Sequence, residues 1–213
     1  MTGRTPGPVW AIVVAAGSST RFGRPKLLET IAGAAVVEHA VGVAQRCCDQ
    51  VVLVSSDPNV VELCDGVLVV PGGESRSESV RRGLDALPPD VEFVLVHDGA
   101  RPGAPAEVFA RVIAALRRGA DAVVPALAVA DTIKQVEGDV VVSTPDRSSL
   151  VAVQTPQGFR AALLREAHSS GADATDDAAL IESVGGVVHV VEGSPRAAKI
   201  TTEYDLVVAR ATW

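Results

Sequence analysis

The stretch AAGSSTRFGRPKLL, residues 15–28, combines small, hydroxyl and cationic residues directly after the apolar run Val9–Val14. In such a loop the backbone N–H groups of Gly17 and of the two serines that follow it can converge on one point and bind an anion. Arg21 and Lys26 add two positive charges, which would offset the crowded negative charge of a triphosphate. The loop has the spacing of neither a Walker A nor a GxGxxG motif. The sequence therefore predicts a phosphate-binding loop, with a tight turn carrying surface cations as the alternative.

A second candidate loop, PGGESRSESV at residues 71–80, follows another apolar run. Its two adjacent glycines would let the backbone approach a flat ligand closely. Either Ser75 or Ser77 can cap the helix that the pattern predicts next. Ser79 lies one turn inside that helix, where its hydroxyl can face a ligand. The stretch therefore predicts a ligand-binding loop, with a plain helix cap as the alternative.

A third candidate, HDGARP at residues 97–102, follows the apolar run Val91–Val96. An aspartate at the end of a strand, beside a phosphate-binding loop, is a suitable Mg²⁺ ligand because it can share the ion with phosphate oxygens. Asp98 is therefore the candidate metal ligand, and Arg101 is a candidate fork for a phosphate. His97 has no second histidine near it in the sequence, so we expect it to pack in the core.

Five further stretches carry polar residues whose individual indication is weak. They are DTIK (131–134), PDRSSL (145–150), VQTPQGF (153–159), ATDDA (174–178) and AKITT (198–202). In ATDDA, Thr175 and Asp176 are also typical of a helix N-cap and first turn, which is the alternative to a binding role.

Short β-branched runs alternate with segments of helical periodicity, and these elements must position the loops. The predicted strands are Val9–Val14, Val51–Val54, Val67–Val70, Val91–Val96, Ala122–Val124 and Val187–Val191. The predicted helices include Ala34–Gln45, Ser77–Leu87 and Glu107–Arg118. This alternation predicts an α/β fold with a Rossmann-like, mostly parallel sheet flanked by helices. Because the candidate loops follow predicted strands, they should meet at the carboxyl edge of the sheet, where such folds bind ligands.

The segment 131–150 interrupts the alternation. Asp131–Val136 and Val140–Ser143 are predicted to form a β-hairpin around a Glu137-Gly138-Asp139 turn. Polar residues occupy alternate positions, and the hairpin has no obvious place in a single sheet. A lid, an edge ribbon and an arm that reaches another subunit all fit this pattern. We expect one domain over residues 1–213, with this protruding β-arm as an insertion.

Composition narrows the classes of partner and location. A chain of 213 residues suffices for one sizeable domain, and its net charge of −7 with 3% aromatic residues disfavours nucleic acid and anionic membranes. Neither a membrane-spanning run nor a signal peptide pattern is evident. The cysteines at 47, 48 and 64 lack the spacing of a disulfide framework or a zinc site. We therefore expect free thiols and a cytoplasmic protein.

Taken together, the ordered motifs resemble the 2-C-methyl-D-erythritol 4-phosphate cytidylyltransferase family of the nucleotidyltransferase superfamily. The matching pieces cover nearly the whole chain and are, in order, AAG…R…PK, GG…R…SV, VLVHDGARP, DTIK, DR, QTPQGF, TDDA and AKITT. The resemblance implies CTP and 2-C-methyl-D-erythritol 4-phosphate as substrates and Mg²⁺ as cofactor. The 4-phosphate oxygen would attack the α-phosphorus of CTP in line and release pyrophosphate. The other product would be 4-diphosphocytidyl-2-C-methyl-D-erythritol, on the way to isoprenoids.

The resemblance also implies roles for single residues. The catalytic cations would be Arg21, Lys26 and Lys199. The CTP-binding positions would be Ala15, Ala16, Gly17, Gly73, Glu74 and Ser79. The acceptor-binding positions would be Asp98, Arg101, Thr132, Arg147, Thr155 and Thr175, with Asp98 also holding Mg²⁺. In this family the positions of Thr132 and Arg147 reach the site from the neighbouring subunit, which implies a homodimer through the arm.

Three features depart from the family pattern. The loop between Arg21 and Lys26 is shorter than usual, its RPKLL ending also resembles molybdenum-cofactor nucleotidyltransferases, and Glu74 stands where the family often has Asp. Two alternatives therefore stay open at this point. One is a related nucleotidyltransferase acting on a molybdenum cofactor or a polyol phosphate. The other is a non-catalytic nucleotide-binding regulator.

Overall fold

The structure, a computed structural model, describes residues 7–17 and 22–213. Within these residues the strands are β1 (Val9–Val14), β2 (Thr30–Ile31), β3 (Ala34–Ala35), β4 (Gln50–Val54), β5 (Leu68–Val70), β6 (Phe93–Asp98), β7 (Ala122–Ala128), β8 (Gln135–Glu137), β9 (Val140–Ser143), β10 (Val151–Val153), β11 (Gln157–Arg160) and β12 (Val188–Glu192). The helices are α1 (Val36–Cys47), α2 (Pro58–Glu62), α3 (Arg76–Asp85), α4 (Ala106–Arg117), α5 (Ala161–His168), α6 (Asp177–Ser183) and α7 (Glu203–Ala211), with short 3₁₀ turns at Lys26–Leu28, Arg147–Ser149 and Pro195–Ala197.

An eight-stranded sheet organises these elements in the order β10-β7-β11-β6-β1-β4-β5, with β12 paired to β7 as well. Strands β1, β4, β5, β6, β7 and β12 run in one direction, and β10 and β11 run against them. The predicted α/β class with a mostly parallel sheet is therefore confirmed. Because parallel strands are buried on both faces, they read as continuous apolar runs, as β1 and β6 do.

Alternate residues of each central strand pack on opposite faces of the sheet. On β6, Phe93 and Leu95 join one apolar cluster with residues of α1, α4 and α7. Val94 and Val96 join a second cluster with residues of α3, α5 and α6. Burying one such side chain contributes roughly 1.5–3 kcal/mol, so the two clusters hold helices firmly on both faces of the sheet.

The predicted strands are all present: β1 has the predicted bounds, and the bounds of the other five move by one to four residues. The shift that matters for the candidate site is in β6. This strand extends to Asp98 instead of ending at Val96, so the candidate metal ligand belongs to the strand. The predicted helix Ala34–Gln45 begins only at Val36, because Ala34–Ala35 pairs with Thr30–Ile31 in a small antiparallel ribbon. Local apolar periodicity does not register such two-residue pairings.

Two antiparallel strands, β10 and β11, were not predicted from the alternation. Strand β11 lies between β6 and β7, and Gly158 in its middle sits directly beneath α4. A Cβ at this glycine would lie 2.4 Å from Cγ1 of Val112, so only glycine lets the helix approach the strand. A glycine and a glutamine within four residues hide this strand from a pattern-based prediction.

The predicted hairpin is present as β8 and β9, but it is shorter than expected. Its first strand begins at Gln135 instead of Asp131, and a turn at Gly138 and Asp139, with Gly138 at φ +62°, joins the strands. The two strands form a sheet of their own, so an edge ribbon of the main sheet is excluded. Among the described residues, no helix combines the length and the apolar character needed to cross a bilayer.

Candidate active site

The carboxyl edge of the sheet is level across four neighbouring strands. Val14 at the end of β1 lies opposite Val54 of β4 and Asp98 of β6, and Val54 lies opposite Val70 of β5. The loops after β1, β5 and β6 therefore leave the sheet side by side, as expected of a ligand site in a parallel sheet. They enclose a cavity of about 300 Å³ whose wall contains Gly17 and Asp98. We call it the larger cavity, because a cavity of about 150 Å³ lies beside it.

The backbone after β1 is held by the loops beside it. The N–H of Ala15 donates to the carbonyl of Val54 at 2.9 Å, and the Ser55 hydroxyl donates to the Ala15 carbonyl at 3.4 Å. A Cβ at Gly72 would lie 2.2 Å from Cβ of Ala16, so this glycine lets the two loops pack together. The sequence predicts that the glycine pair lets a flat ligand approach the backbone. At Gly72 the close approach in the structure is that of Ala16, from the loop after β1.

The loop after β5 is closed by a chain of short polar contacts. The N–H of Gly73 donates to the Ser79 hydroxyl at 3.0 Å, which in turn donates to the Ser75 carbonyl at 2.9 Å. Ser75, not Ser77, caps α3 by accepting the N–H of Glu78 at 3.1 Å. The proton of the Ser79 hydroxyl is therefore used inside the loop. What this residue offers a ligand in the larger cavity is shape and a hydrogen-bond acceptor.

Asp98 stands among three cations. Its Oδ2 lies 2.9 Å from the Lys199 ammonium and 3.3 Å from Nε of Arg101, and its Oδ1 lies 3.6 Å from Nε of Arg76. Burial by itself raises the pKa of the Asp98 carboxyl, but Lys199, Arg76 and Arg101 together bring that pKa well below its usual range. The carboxylate is ionised at neutral pH, and its surroundings keep a net positive charge that suits phosphate groups.

Thr155 and His97 support Asp98 from behind. The N–H of Asp98 donates to the Thr155 hydroxyl at 3.0 Å, and that hydroxyl lies 3.0 Å from Nδ1 of His97. Burial lowers the pKa of His97 to about 4, so the imidazole is neutral and Nδ1 can accept the hydroxyl proton. The ring of His97 also packs 5.1 Å from that of Phe109, centroid to centroid. His97 is thus the core residue that the sequence predicted.

A smaller cavity of about 150 Å³ opens beside the larger one, between the loop after β6, the segment before β11 and the start of α6. Arg101, Thr155 and Thr175 line it. The residues common to both cavities are Arg76, Asp98 and Lys199. This charged wall is where a molecule in one cavity would meet a molecule in the other.

Arg76 carries a contact that the sequence did not predict. From the first position of α3 it reaches Oδ2 of Asp177 in α6, at 2.7 Å from its Nη1. Asp177 is fully buried, and its other oxygen lies 3.0 Å from Nε2 of the buried His168. The arginine within PGGESRSESV, in a helical first turn beside a candidate phosphate loop, was the available clue. The alternative for ATDDA, with Thr175 as N-cap and Asp176 in the first turn, is wrong by one residue: Asp176 is the N-cap of α6 and Asp177 lies in its first turn.

Comparisons with known proteins agree on one family. The family model described as "IspD: 2-C-methyl-D-erythritol 4-phosphate cytidylyltransferase" matches residues 9–213. A protein of that name from Streptomyces coelicolor is 46% identical over 98% of this chain and 86% of its own length. Another from Rhodococcus opacus is 48% identical over 96% of this chain and 95% of its own. The chain belongs to the 2-C-methyl-D-erythritol 4-phosphate cytidylyltransferase family.

Solved structures agree with this assignment. The crystal structure of the cytidylyltransferase from Thermus thermophilus superposes with a TM-score of 0.79 at 35% identity, covering 94% of this chain and 96% of that one. The 4-diphosphocytidyl-2C-methyl-D-erythritol synthase from Anaerococcus prevotii gives a TM-score of 0.84 at 33% identity over 97% and 96%. The cytidylyltransferase fold is therefore shared along nearly the full length.

Most positions to which the sequence resemblance assigns a role line one of these two cavities. The larger cavity takes Ala15, Ala16, Gly17, Lys26, Gly73, Glu74, Ser79, Asp98 and Lys199. The smaller takes Asp98, Arg101, Thr155, Thr175 and Lys199. Thr132 and Arg147 line neither cavity and are exposed on the arm segment. Arg21 lies outside the described residues.

Asp98 is the residue whose chemistry suits the expected divalent cation. Among residues 7–17 and 22–213, no group of three or more His, Cys, Asp and Glu side chains is placed to hold a metal ion. Asp98 is a single hard oxygen donor in the wall of a cavity suited to a triphosphate. Mg²⁺ is commonly held by one or two carboxylates together with substrate phosphates. The donor set therefore fits an ion that the nucleotide and Asp98 would share.

Proposed function

We propose that the larger cavity binds CTP and the smaller one binds the phosphate of 2-C-methyl-D-erythritol 4-phosphate. The activity follows from family membership: the chain transfers a cytidylyl group to this acceptor in isoprenoid biosynthesis. The observation that supports the division is the shared wall of Arg76, Asp98 and Lys199. Two phosphorylated substrates in adjoining cavities would bring their phosphates together at this wall.

The acceptor's phosphate oxygen is already ionised at neutral pH, so the attack on the α-phosphorus of CTP needs no side-chain base. One bond forms between that oxygen and the α-phosphorus, and the bond to the β-phosphate oxygen breaks, releasing pyrophosphate. Catalysis is then positioning and charge stabilisation, as in other phosphoryl transfers. Lys26 and Lys199 would supply positive charge to the triphosphate and α-phosphate. Arg101, fixed by its 2.7 Å bond to the Ala197 carbonyl, would face the acceptor.

A divalent cation, with Mg²⁺ as the proposed ion, would be held by Asp98 together with the phosphate oxygens of CTP. When bound it would supply charge stabilisation at the phosphates. The role of this chain's own residues is to keep the Asp98 carboxylate ionised and aimed into the cavity. Thr155 does so through the backbone N–H of Asp98, and Lys199 through the carboxylate itself.

The arm supports a homodimer with shared sites. Arg147 and Thr132 line neither cavity of their own chain, and the arm exposes a row of valines. In a two-fold dimer each arm would supply these two residues to the acceptor cavity of the other chain. The rest of the chain would form a single domain from which the arm protrudes. The free thiols of its three cysteines fit a cytoplasmic location.

Pyrophosphate release tests the activity directly. The parent chain is incubated with CTP, Mg²⁺ and 2-C-methyl-D-erythritol 4-phosphate, and the nucleotide product is identified by mass. We expect pyrophosphate and the cytidine diphosphate product in equal amounts. Parallel reactions with ribitol 5-phosphate or a molybdenum cofactor should release none. Faster turnover with either alternative acceptor, or none with any, would contradict the assignment.

A further inference from the structure

Arg76 is bound on both sides by carboxylates from different elements. Its Nη1 lies 2.7 Å from Oδ2 of Asp177 at the start of α6, and its Nε lies 3.6 Å from Oδ1 of Asp98 at the end of β6. Only 23% of its side chain is exposed. A guanidinium held at two points is far less mobile than a surface arginine, and its planar fork suits phosphate oxygens.

Burying the carboxylate of Asp177 is unfavourable for the free energy of folding. Its side chain is fully buried, whereas ionised carboxylates avoid the interior because desolvation is expensive. An apolar residue of similar size commonly stabilises a fold more than a buried ion pair does. Stability alone therefore gives no reason for a carboxylate in this position. What the carboxylate does is direct one arginine towards the wall between the cavities.

His168 completes the arrangement. It lies in the last turn of α5, with its Nε2 3.0 Å from Oδ1 of Asp177. The two oxygens of Asp177 thus contact two different partners, and the carboxylate cannot rotate without losing one of them. His168 and Asp177 lie behind the cavities: neither lines the larger or the smaller one. They act on the site through Arg76, which lines both.

We propose that Arg76 is a catalytic phosphate-binding residue at the junction of the two cavities, and that Asp177, backed by His168, is the residue that positions it. This inference rests on the proposed function, because the ligands are the α-phosphate of CTP and the acceptor phosphate. The charge of Arg76 draws the two anionic groups together, and the hold of Asp177 keeps the guanidinium in place as they react.

A double-mutant cycle in kcat separates positioning from a structural effect. Arg76→Lys keeps the charge but loses the fork, so we expect kcat to fall about 10-fold to 100-fold with the KM for CTP within about threefold. Asp177→Asn keeps the size but releases Arg76, so kcat should fall about 10-fold. In the Arg76→Lys background, Asp177→Asn should lower kcat no further, because the group it positions is already gone.

The matched control is Asp121→Asn, which breaks an exposed aspartate–arginine pair with Arg160 and lines neither cavity. Its kcat should equal that of the parent. Unfolding midpoints are recorded for every variant, so that a folding defect in one is not mistaken for a loss of catalysis. Full additivity of the two kcat effects, or an Arg76→Lys variant with parental kcat, would overturn the proposal.

Side-chain NMR tests the same inference without turnover. The Nε–Hε signal of Arg76, assigned by its loss in Arg76→Lys, should move on addition of CTP and should broaden or average in Asp177→Asn. If the parent releases no pyrophosphate but this signal responds as stated, the proposed function fails and the positioning of Arg76 stands. If the signal is indifferent to both CTP and Asp177→Asn, the positioning is wrong even in an active enzyme.

Discussion

At the scale of single residues, Asp98 shows how one carboxylate can serve a polyanion site. Three cations surround it and keep the carboxylate ionised, and Lys199 and Arg101 remain close enough to attract a phosphate group. Nucleotide phosphates arriving there would compete with Asp98 for Lys199. A divalent cation held by Asp98 and the nucleotide would reduce that competition, because its charge would attract both groups.

Asp98→Asn should therefore remove the effect of Mg²⁺ on CTP binding. In the parent, calorimetry should show CTP binding more tightly as Mg²⁺ is added. In the variant, Mg²⁺ should leave the Kd unchanged, because the amide lacks the charge that Asp98 contributes to the ion. Asp85→Asn, exposed at the end of α3, is the control and should behave like the parent. Retained tightening by Mg²⁺ in Asp98→Asn would remove this residue from the metal site.

His97 should make the fold sensitive to mild acid. Burial lowers the pKa of His97 from 6.5 to about 4. Between pH 6.5 and pH 4, this histidine is therefore protonated in the unfolded chain and neutral in the native state. Stability is then full above about pH 6.5 and is lost as pH falls towards 4, by roughly 3 kcal/mol in total. Urea unfolding at pH 7, 6, 5 and 4.5 measures this loss.

Two variants test the assignment of this slope. His97→Gln should unfold with little dependence on pH across the same window, whatever its absolute stability. His189→Gln, which alters an exposed histidine, should keep the parental dependence. An unchanged slope in His97→Gln would show that another group is responsible.

The sequence predicted the charged residues in the cavity walls, but it did not predict the residues that hold Arg76 from behind. Asp98 and Lys199 were predicted because each has chemistry of its own beside a strand or within a family motif. Asp177 falls within the TDDA motif but no role was predicted for it, and His168 lies in no motif, since the importance of both comes from the way α5 and α6 pack behind Arg76. Such a contact joins positions 101 residues apart in the chain, and no local pattern encodes that.

At the scale of elements, the parallel strands were predictable and the antiparallel ones were not. Apolar runs such as Val91–Val96 reveal strands that are buried on both faces. Strand β11 is just as buried, but it reads QGFR, because its glycine lets α4 pack closely and its glutamine lines the smaller cavity. The residue types in β11 are therefore set by its tertiary contacts, and they differ from the β-branched residues that would predict a strand.

Gly158→Ala should destabilise the protein by overpacking. The new Cβ would lie 2.4 Å from Cγ1 of Val112 and 2.9 Å from Cδ1 of Leu116, so α4 must move. We expect a loss of about 1–3 kcal/mol in the free energy of unfolding, measured with urea. Val112→Ala in the same chain opens space for the methyl group, so the double variant should lose less than the sum of the two single changes. Strict additivity would show that the glycine is not needed for this packing.

At the scale of the whole molecule, the arm stands apart, because its strands β8 and β9 pair only with each other and not with the main sheet. The apolar side chains it exposes are Ile133, Val136, Val140, Val141 and Val142, and Val151 and Val153 of the adjoining strand β10 are exposed as well. Contiguous exposed apolar surface in a soluble protein commonly marks an interaction site. The arm also carries Thr132 and Arg147, which the family pattern assigns to acceptor binding but which line neither cavity of their own chain. The proposed homodimer would account for both facts, because the arm would pack on a second copy and complete that copy's site.

Complementation between two inactive chains tests the shared site. Lys26→Ala should inactivate the chain that carries it at its own CTP cavity, and Arg147→Ala should inactivate the acceptor cavity of the partner. When the two are mixed under conditions that exchange subunits, about half of the dimers are mixed. With sites shared between chains, each mixed dimer has one site with both lesions and one with neither, so roughly a quarter of all sites regain activity. If Arg147 served its own chain, every site would carry a lesion and nothing would be regained. Recovery of pyrophosphate release near that fraction supports the shared site, and no recovery, with exchange confirmed by mass, contradicts it.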